Sequence, residues 1–325
     1  MNILITGAAG FIGFHTSIKL LEKDHKVYGI DSLNNYYSVK IKKDRLKLLK
    51  KLGKKNFCFF KNNLTNENYI IKIIKKYKIS VIIHLAAQAG VRHSLKNPMD
   101  YVKNNIIPTT NLLEACKKTR KIKHFLLAST SSVYASSTKT PFNENDPADF
   151  PLQFYAATKR STELMAHSYS HLYNIPFTIL RFFTVYGPYG RPDMALFKFT
   201  KNIIKNQSIE LFNKGRHLRD FTYVDDIVDG IFSLIKKHSV KSIPYEIFNI
   251  GNGSPKKLLD YLKFIEKNLK RKAKIKKLPL QTGDIIKTHS DIKKLKKLTG
   301  YNPKININIG IKKFIEWYKD YYKVN

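Results

Sequence analysis

The chain opens on a strand, a glycine-spaced turn and a helix, and nothing else in it restricts the fold as tightly. The apolar run Asn2-Ile3-Leu4-Ile5 leads into Gly7-Ala8-Ala9-Gly10-Phe11-Ile12-Gly13, and a helical pattern follows directly. From there short apolar runs alternate with helical stretches, which is the signature of parallel βαβ units. Strands are expected at residues 2–6, 26–31, 57–61, 81–85, 125–129 and 177–181, with helices at 11–23, 67–77, 101–118 and 155–173. Val81-Ile82-Ile83 and Phe125-Leu126-Leu127 are apolar without interruption, as strands covered on both faces must be.

After residue 184 the rhythm changes. Loops carry Gly187-Pro188, Gly190-Arg191-Pro192 and Gly251-Asn252-Gly253, and strands are expected at 210–212 and 246–250 among further helices. The pattern predicts an α/β fold: a Rossmann-type doubly wound parallel sheet with a smaller α/β lobe packed on it. Residues 1–183 are expected to form the first domain, residues roughly 224–250 to return to it, and 184–325 to form mainly the lobe. With 43% hydrophobic and 12% aromatic residues over 325 positions, the chain can bury a real core, which excludes disorder as its main state. Its two cysteines, Cys58 and Cys116, make neither a CxxC pair nor a metal spacing, so a reducing compartment is expected. The opening on a strand and the lack of an 18-residue apolar run predict no signal peptide and no membrane span, hence a cytoplasmic protein.

Each piece of the opening motif has a chemical use. Glycines allow a tight turn and close approach of backbone N–H groups to a pyrophosphate, whose charge the helix N-terminus stabilises. Asp31, ending the second expected strand, can accept hydrogen bonds from ribose hydroxyls and would repel a 2′-phosphate. A bare glycine turn needs no ligand, but the strand, glycines, helix and acidic residue in this order point to a dinucleotide, with NAD favoured over NADP.

A second constellation is Tyr155-Ala156-Ala157-Thr158-Lys159, which puts a phenol and an ammonium on one helix face. A tyrosine near pKa 10 is a poor base at neutral pH, and a neighbouring cation favours its phenolate. The pair alone is common in so lysine-rich a chain. Thr130 strengthens it, because it ends the fifth expected strand, where open α/β sheets bind their ligands.

The GxxGxxG spacing, His84-Leu85-Ala86-Ala87-Gln88 and Asn105-Ile106 resemble the extended short-chain dehydrogenase/reductase family of nucleotide-sugar epimerases and dehydratases, over nearly the whole chain. Asn63-Leu64 stands where that family usually has Asp-Leu or Asp-Ile near the adenine, and Pro108 replaces a usual glycine. The resemblance implies that Gly7, Gly10, Phe11, Ile12, Gly13, Asp31, Asn63, Leu64, Leu85, Ala86, Ala87 and Asn105 hold NAD together with Tyr155 and Lys159. It implies a catalytic group of Tyr155 as base, Lys159 beside it and Thr130 on the reacting sugar hydroxyl. Dehydratases of the family carry Thr-Asp-Glu, and sugar-acid decarboxylases a Glu two positions after the Thr or Ser. This chain has Ser131-Ser132, with no carboxylate, which disfavours elimination and decarboxylation and makes plain epimerisation the simplest outcome.

Leu180-Arg181-Phe182-Phe183-Thr184-Val185-Tyr186-Gly187-Pro188, Ala89-Gly90-Val91-Arg92 and Asp31-Ser32-Leu33-Asn34-Asn35-Tyr36-Tyr37 resemble the UDP-glucuronate 4-epimerase subgroup. This implies NAD-dependent 4-epimerisation of a UDP-hexuronate. Ser131, Ser132 and Thr184 offer hydroxyls to a sugar carboxylate, while Arg92, Arg191, Arg219, Gln281 and Asp284 are expected around the UDP-sugar. A UDP-glucose 4-epimerase, a UDP-glucuronate decarboxylase, and a catalytically silent NAD-binding interaction protein are the alternatives. A homodimer is implied by the family.

Three other features carry no function. The formal charge of +35 suggests nucleic acid, but of 59 basic residues only nine are arginine, and the fifty lysines are scattered. Asn, Ile, Tyr and Phe share A/T-rich codons with Lys, so genome composition is a sufficient cause and no nucleic-acid partner is expected. His167 and His171 have a zinc-binding spacing without a third ligand, so no metal is expected. Phe314, Trp317 and Tyr321 read as a packed helix rather than a stacking platform.

Overall fold

The structure, a computed structural model, describes residues 1–137, 139–281 and 283–324. The first half runs β1 (Asn2–Thr6), α1 (Phe11–Leu21), β2 (Lys26–Asp31), α2 (Val39–Gly53), β3 (Phe57–Lys61), α3 (Glu67–Lys76), β4 (Val81–His84), α4 (Val91–Lys96), α5 (Pro98–Tyr101), α6 (Ile107–Thr119), β5 (His124–Thr130), α7 (Phe154–Tyr173) and β6 (Phe177–Phe182). With the strand Tyr245–Ile250 these form a seven-stranded, all-parallel sheet in the order Tyr245–Ile250, β6, β5, β4, β1, β2, β3.

Side chains alternate across β1. Ile3 and Ile5 pack with Phe14, Leu126 and Leu180 on one face, while Leu4 packs with Ile82, Phe125 and Leu127 on the other. Both faces are dry, as the unbroken apolar strands required. The chain progresses outward from β1 to β3, then crosses back to start again at β4. The sheet's order therefore reverses between β1 and β4, and ligands bind outside the carboxyl ends of strands at such a point. Register brings those ends level: Thr6 lies beside Ile30 and His84, and Thr130 beside Phe182.

A second core is built mainly from residues after 184. Phe221 stacks on Tyr261 with ring centroids 4.1 Å apart, and the helix Ile307–Tyr322 buries Ile311, Phe314, Ile315 and Tyr318 against it. Trp317 packs on Tyr189 at 4.9 Å. His167 lies edge-on to Tyr245.

Besides the short helices α4 and α5, three elements differ from the sequence expectation. The helix expected at 101–118 is interrupted by a π turn over Val102–Ile106 before α6 begins. Pro108 is the physical reason: it has no N–H for Asn104 and its ring crowds that carbonyl, so the helix widens ahead of it. The strand expected at 210–212 runs instead over Ser208–Leu211, and Phe212 opens a tight turn. Helix α2 is not among the bounded helices read from the apolar pattern. Its lysines mask an apolar stripe of Ile41, Leu46 and Leu49.

Candidate active site

A cavity of about 460 Å³ lies along the carboxyl edge of the sheet. The glycine turn after β1 forms one wall. Gly7 has φ +71°, and its N–H donates to the Ile30 carbonyl at 2.7 Å. A Cβ on Gly13 would stand 2.2 Å from the Gly7 carbonyl oxygen, so only glycine lets α1 start this close to the turn. Among the described residues no side chain caps α1, which leaves N–H groups of its first turn to an outside acceptor.

Asp31 sits at the neighbouring strand end. One carboxylate oxygen accepts from the Ala9 N–H at 3.1 Å and the other from the Leu33 N–H at 2.8 Å, leaving lone pairs on both. Burial raises its pKa, while those bonds and the charges of Lys42 and Arg45 pull it down. Asn63, Leu64, Leu85, Ala86 and Ala87 continue the wall. Behind it His84 is buried, and burial lowers its pKa to about 3, so the ring is neutral. It lies 2.6 Å from Thr6 Oγ1, which accepts the Ala86 N–H at 3.1 Å. An uncapped helix start, a glycine cradle and a carboxylate with free lone pairs fit an extended ligand carrying a diphosphate and a diol.

At the other end the cavity is lined by Thr130, Ser131, Ser132, Tyr155, Lys159, Thr184 and Arg191. Thr130 Oγ1 accepts the Ser132 N–H at 3.1 Å, which fixes the serines relative to the strand end. Tyr155 stands edge-on to the buried Tyr101 at 5.9 Å. The expected lowering of the Tyr155 pKa by Lys159 is not what the chain's own groups produce. Burial pushes the phenol up, opposed by a hydrogen bond with Thr130 and the charge of Arg191. Sequence spacing showed the ammonium neighbour but not the desolvation. Lys159 is itself buried and lowered to about 8, with Glu163 one turn along holding it up.

Glu163 anchors a buried network under this floor. It accepts from Arg181 Nη2 at 2.7 Å and Nε at 3.0 Å, from Arg160 Nη1 at 3.0 Å, and from Ser129 Oγ at 2.5 Å. Burial pushes the carboxyl up, but Arg181 above all outweighs it and the net direction is down. Arg181 Nη1 continues to the Tyr134 hydroxyl at 2.7 Å. The network ties β5, α7 and β6 together immediately behind Thr130.

Five expected residues do not line this cavity. Asn105 lies behind the wall, where it accepts the Gln88 N–H at 2.7 Å and donates to the Gln88 carbonyl and to Thr158 Oγ1. It positions the loop after β4 against α7. Arg219 and Asp284 pair at 3.1 Å, and His217, which the sequence pattern did not reveal, faces Asp284 at 3.2 Å. Arg92 lies over the Phe212 ring at 4.3 Å; burial pushes the Asp284 carboxyl up, but the facing His217, Arg219 and, least, Arg92 bring its pKa down on balance. The Gln281 side-chain oxygen is buried without a hydrogen-bond partner among the described residues. Lys42 lines the cavity from outside any of these motifs, and Tyr36, Tyr37, Gln88 and Met194 line it as well, although no site role was read for them from the sequence.

Known proteins resemble this chain over most of its length. The NAD dependent epimerase/dehydratase family matches residues 3–251. Protein CapI of Staphylococcus aureus is 47% identical over 99% of this chain and 100% of its own length. A probable UDP-glucuronate 4-epimerase of Rhizobium meliloti is 42% identical over 99% of this chain and 98% of its own. The crystal structure of the UDP-glucuronic acid 4-epimerase from Bacillus cereus, in complex with UDP-glucuronic acid and NAD, superposes with a TM-score of 0.92. It shares 35% identity and covers 99% of this chain and 100% of that one. With its glycine turn, its Tyr155–Lys159 helix and matches spanning nearly its whole length, this chain belongs to the NAD dependent epimerase/dehydratase family.

Proposed function

We propose that the protein catalyses the NAD-dependent 4-epimerisation of a UDP-hexuronate, interconverting UDP-glucuronate and UDP-galacturonate through a transient 4-keto sugar. One observation carries the reading: Thr130, Tyr155 and Lys159 meet the glycine turn in one cavity whose threonine is followed by Ser131 and Ser132 rather than an acid. The relatives and the solved structure named above support it.

In this reading Gly7, Gly10, Phe11, Ile12 and Gly13 receive the NAD diphosphate, Asp31 a ribose diol, and Asn63, Leu64, Leu85, Ala86 and Ala87 the flanks of the dinucleotide. NAD bound there supplies a reversible acceptor for the hydrogen on sugar C4. Tyr155 takes the proton of the 4-hydroxyl and later returns it, with Thr130 orienting that hydroxyl. Lys159 stays protonated at neutral pH, and its charge together with that of the oxidised nicotinamide would favour the phenolate against the burial that raises Tyr155. Ser131, Ser132 and Thr184 donate to the sugar carboxylate. Arg191 is the cavity cation for the UDP-sugar, and Arg92, Arg219, Gln281 and Asp284 complete its nucleotide end. Residues 1–183, with 224–250, serve the dinucleotide, and 184–325 mainly the sugar nucleotide.

A homodimer in the cytoplasm completes the proposal. Exposed Ile107 on α6 and Leu164 and Leu172 on α7 support helix pairing, and the free Cys58 and Cys116 support a reducing compartment. The test of function is the product formed from UDP-glucuronate, identified by NMR. The galacturonate isomer is expected, and Tyr155→Phe should lose it by a factor of about 10³ or more. A xylose nucleotide, or no turnover with NAD present, overturns the reading, and full activity in Tyr155→Phe overturns the assigned base.

A further inference from the structure

Arg45 shares with Arg181 the place of largest fully buried side chain among the described residues, and no part of the reaction described above uses it. It projects from α2 between two loops far apart in sequence. Nη1 donates to the Ala9 carbonyl at 2.7 Å and to the Tyr37 hydroxyl at 2.8 Å. Nη2 donates to the Tyr189 carbonyl at 2.5 Å and the Gly190 carbonyl at 3.3 Å. Ala9 lies inside the glycine turn. Tyr189 and Gly190 directly precede Arg191, the cation of the sugar end of the cavity.

The two segments need such a brace. Tyr189 holds φ +54°, a left-handed conformation that non-glycine residues seldom adopt. The same loop reaches back to the first half of the chain two residues later, since Arg191 Nη2 donates to the Ala89 carbonyl at 3.3 Å. Arg45 can serve both loops because its fork presents parallel donors from two terminal nitrogens, whereas a lysine offers one. Its Nε is buried without a partner among the described residues, and its charge acts on Asp31 from within the wall. In a chain with fifty lysines, an arginine here is a choice of geometry rather than of charge.

We propose that Arg45 is a positioning residue that couples the dinucleotide and sugar-nucleotide halves of the cavity by tying the Ala9 turn to the Tyr189–Gly190 loop. The proposal rests on the NAD and UDP-sugar reading of the cavity. Its consequence is thermodynamic. Ordering one loop orders the other, so each ligand tightens its partner, and by linkage the effect is the same in both directions.

The test is equilibrium dialysis of NAD with and without saturating UDP, which binds without reacting, on the wild type, Arg45→Lys and Arg45→Met. UDP should tighten NAD about tenfold in the wild type, within the usual span of such couplings. Both variants should lose the enhancement and bind NAD with one affinity whether or not UDP is present. Arg45→Lys keeps the charge and one bond, so it separates bridging from electrostatics and is the variant better able to fold. A merely structural role would lower the melting temperature and leave the UDP effect intact, which overturns the proposal. So does an Arg45→Lys protein with the wild-type enhancement, or a wild type in which UDP leaves NAD affinity unchanged. Absence of both NAD and UDP binding in the wild type sinks the functional reading as well, which sets that failure apart.

Discussion

Replacing Lys159 with methionine should make the protein more stable and inactive at once. The side chain is 2% exposed, and burial lowers its ammonium from the ordinary 10.5 to about 8, against the opposing charge of Glu163. Each tenfold loss of proton affinity corresponds to about 1.4 kcal/mol, so holding the charge in place costs about 3 kcal/mol relative to water. At neutral pH the group is still charged and the folded chain bears the whole of that penalty. Between pH 8 and 10.5 the unfolded chain keeps a proton that the folded chain has released. Stability therefore rises with pH across that window, the reverse of the behaviour of a lysine held by a strong ion pair.

Methionine fills similar space without a charge to desolvate. Urea unfolding of both proteins from pH 7 to 10.5 isolates the effect, because every other titrating group is common to the two. The variant should be more stable by about 2–3 kcal/mol at pH 7, with the gap closing toward pH 10.5. Epimerase activity should vanish throughout. A variant less stable than the wild type at pH 7, or a gap that does not change with pH, refutes the view that this ammonium is kept in the floor at a cost for chemistry.

Glu163→Gln should act in the opposite sense. Leaving Arg181 buried beside a neutral partner costs about 3–5 kcal/mol, or roughly 4–7 °C in melting temperature for a chain of this length. Because the Glu163 carboxyl is held low by Arg181, its contribution is present above the ordinary carboxylate range and is lost as pH falls through the depressed value. Thermal scans should show the wild type and variant converging only in acid; a melting temperature unchanged at pH 7 contradicts the assignment. Asp31→Ser should raise the affinity for NADP relative to NAD about tenfold or more, since it removes the repelling carboxylate and leaves Lys42 beside the site. Dialysis against each dinucleotide decides it, and continued exclusion of NADP would show that Asp31 does not set the preference.

The parts of this protein that could be read from sequence are those whose chemistry is local. Gly7 to Gly13, Asp31 and the Tyr155–Lys159 pair each lie within one turn or one helix, so spacing alone places them, and the strands of the central sheet follow from uninterrupted apolar runs. What escaped reading depends on burial or on contacts across the fold. The 155–159 spacing reveals a cation near a phenol, yet the desolvation that raises Tyr155 comes from walls contributed by other segments. Asn105 carries a family motif, yet its amide holds Gln88 and Thr158 rather than the cavity. Helix α2 was hidden because lysine dominates its outer face.

One signal in the sequence could have exposed part of the missing set. In a chain this rich in lysine, five of the nine arginines stand where a single nitrogen does not suffice. Arg45, Arg160, Arg181, Arg191 and Arg219 each bond at least two groups through separate nitrogens or a shared fork. Arg45 stands out further, because it falls between Ile41 and Leu49 on the apolar stripe of α2, where a lone cation has no solvent to enter. An arginine on the apolar stripe of a helix in a lysine-rich chain therefore implies several backbone or carboxylate acceptors around it, because only a satisfied fork offsets the cost of burying its charge.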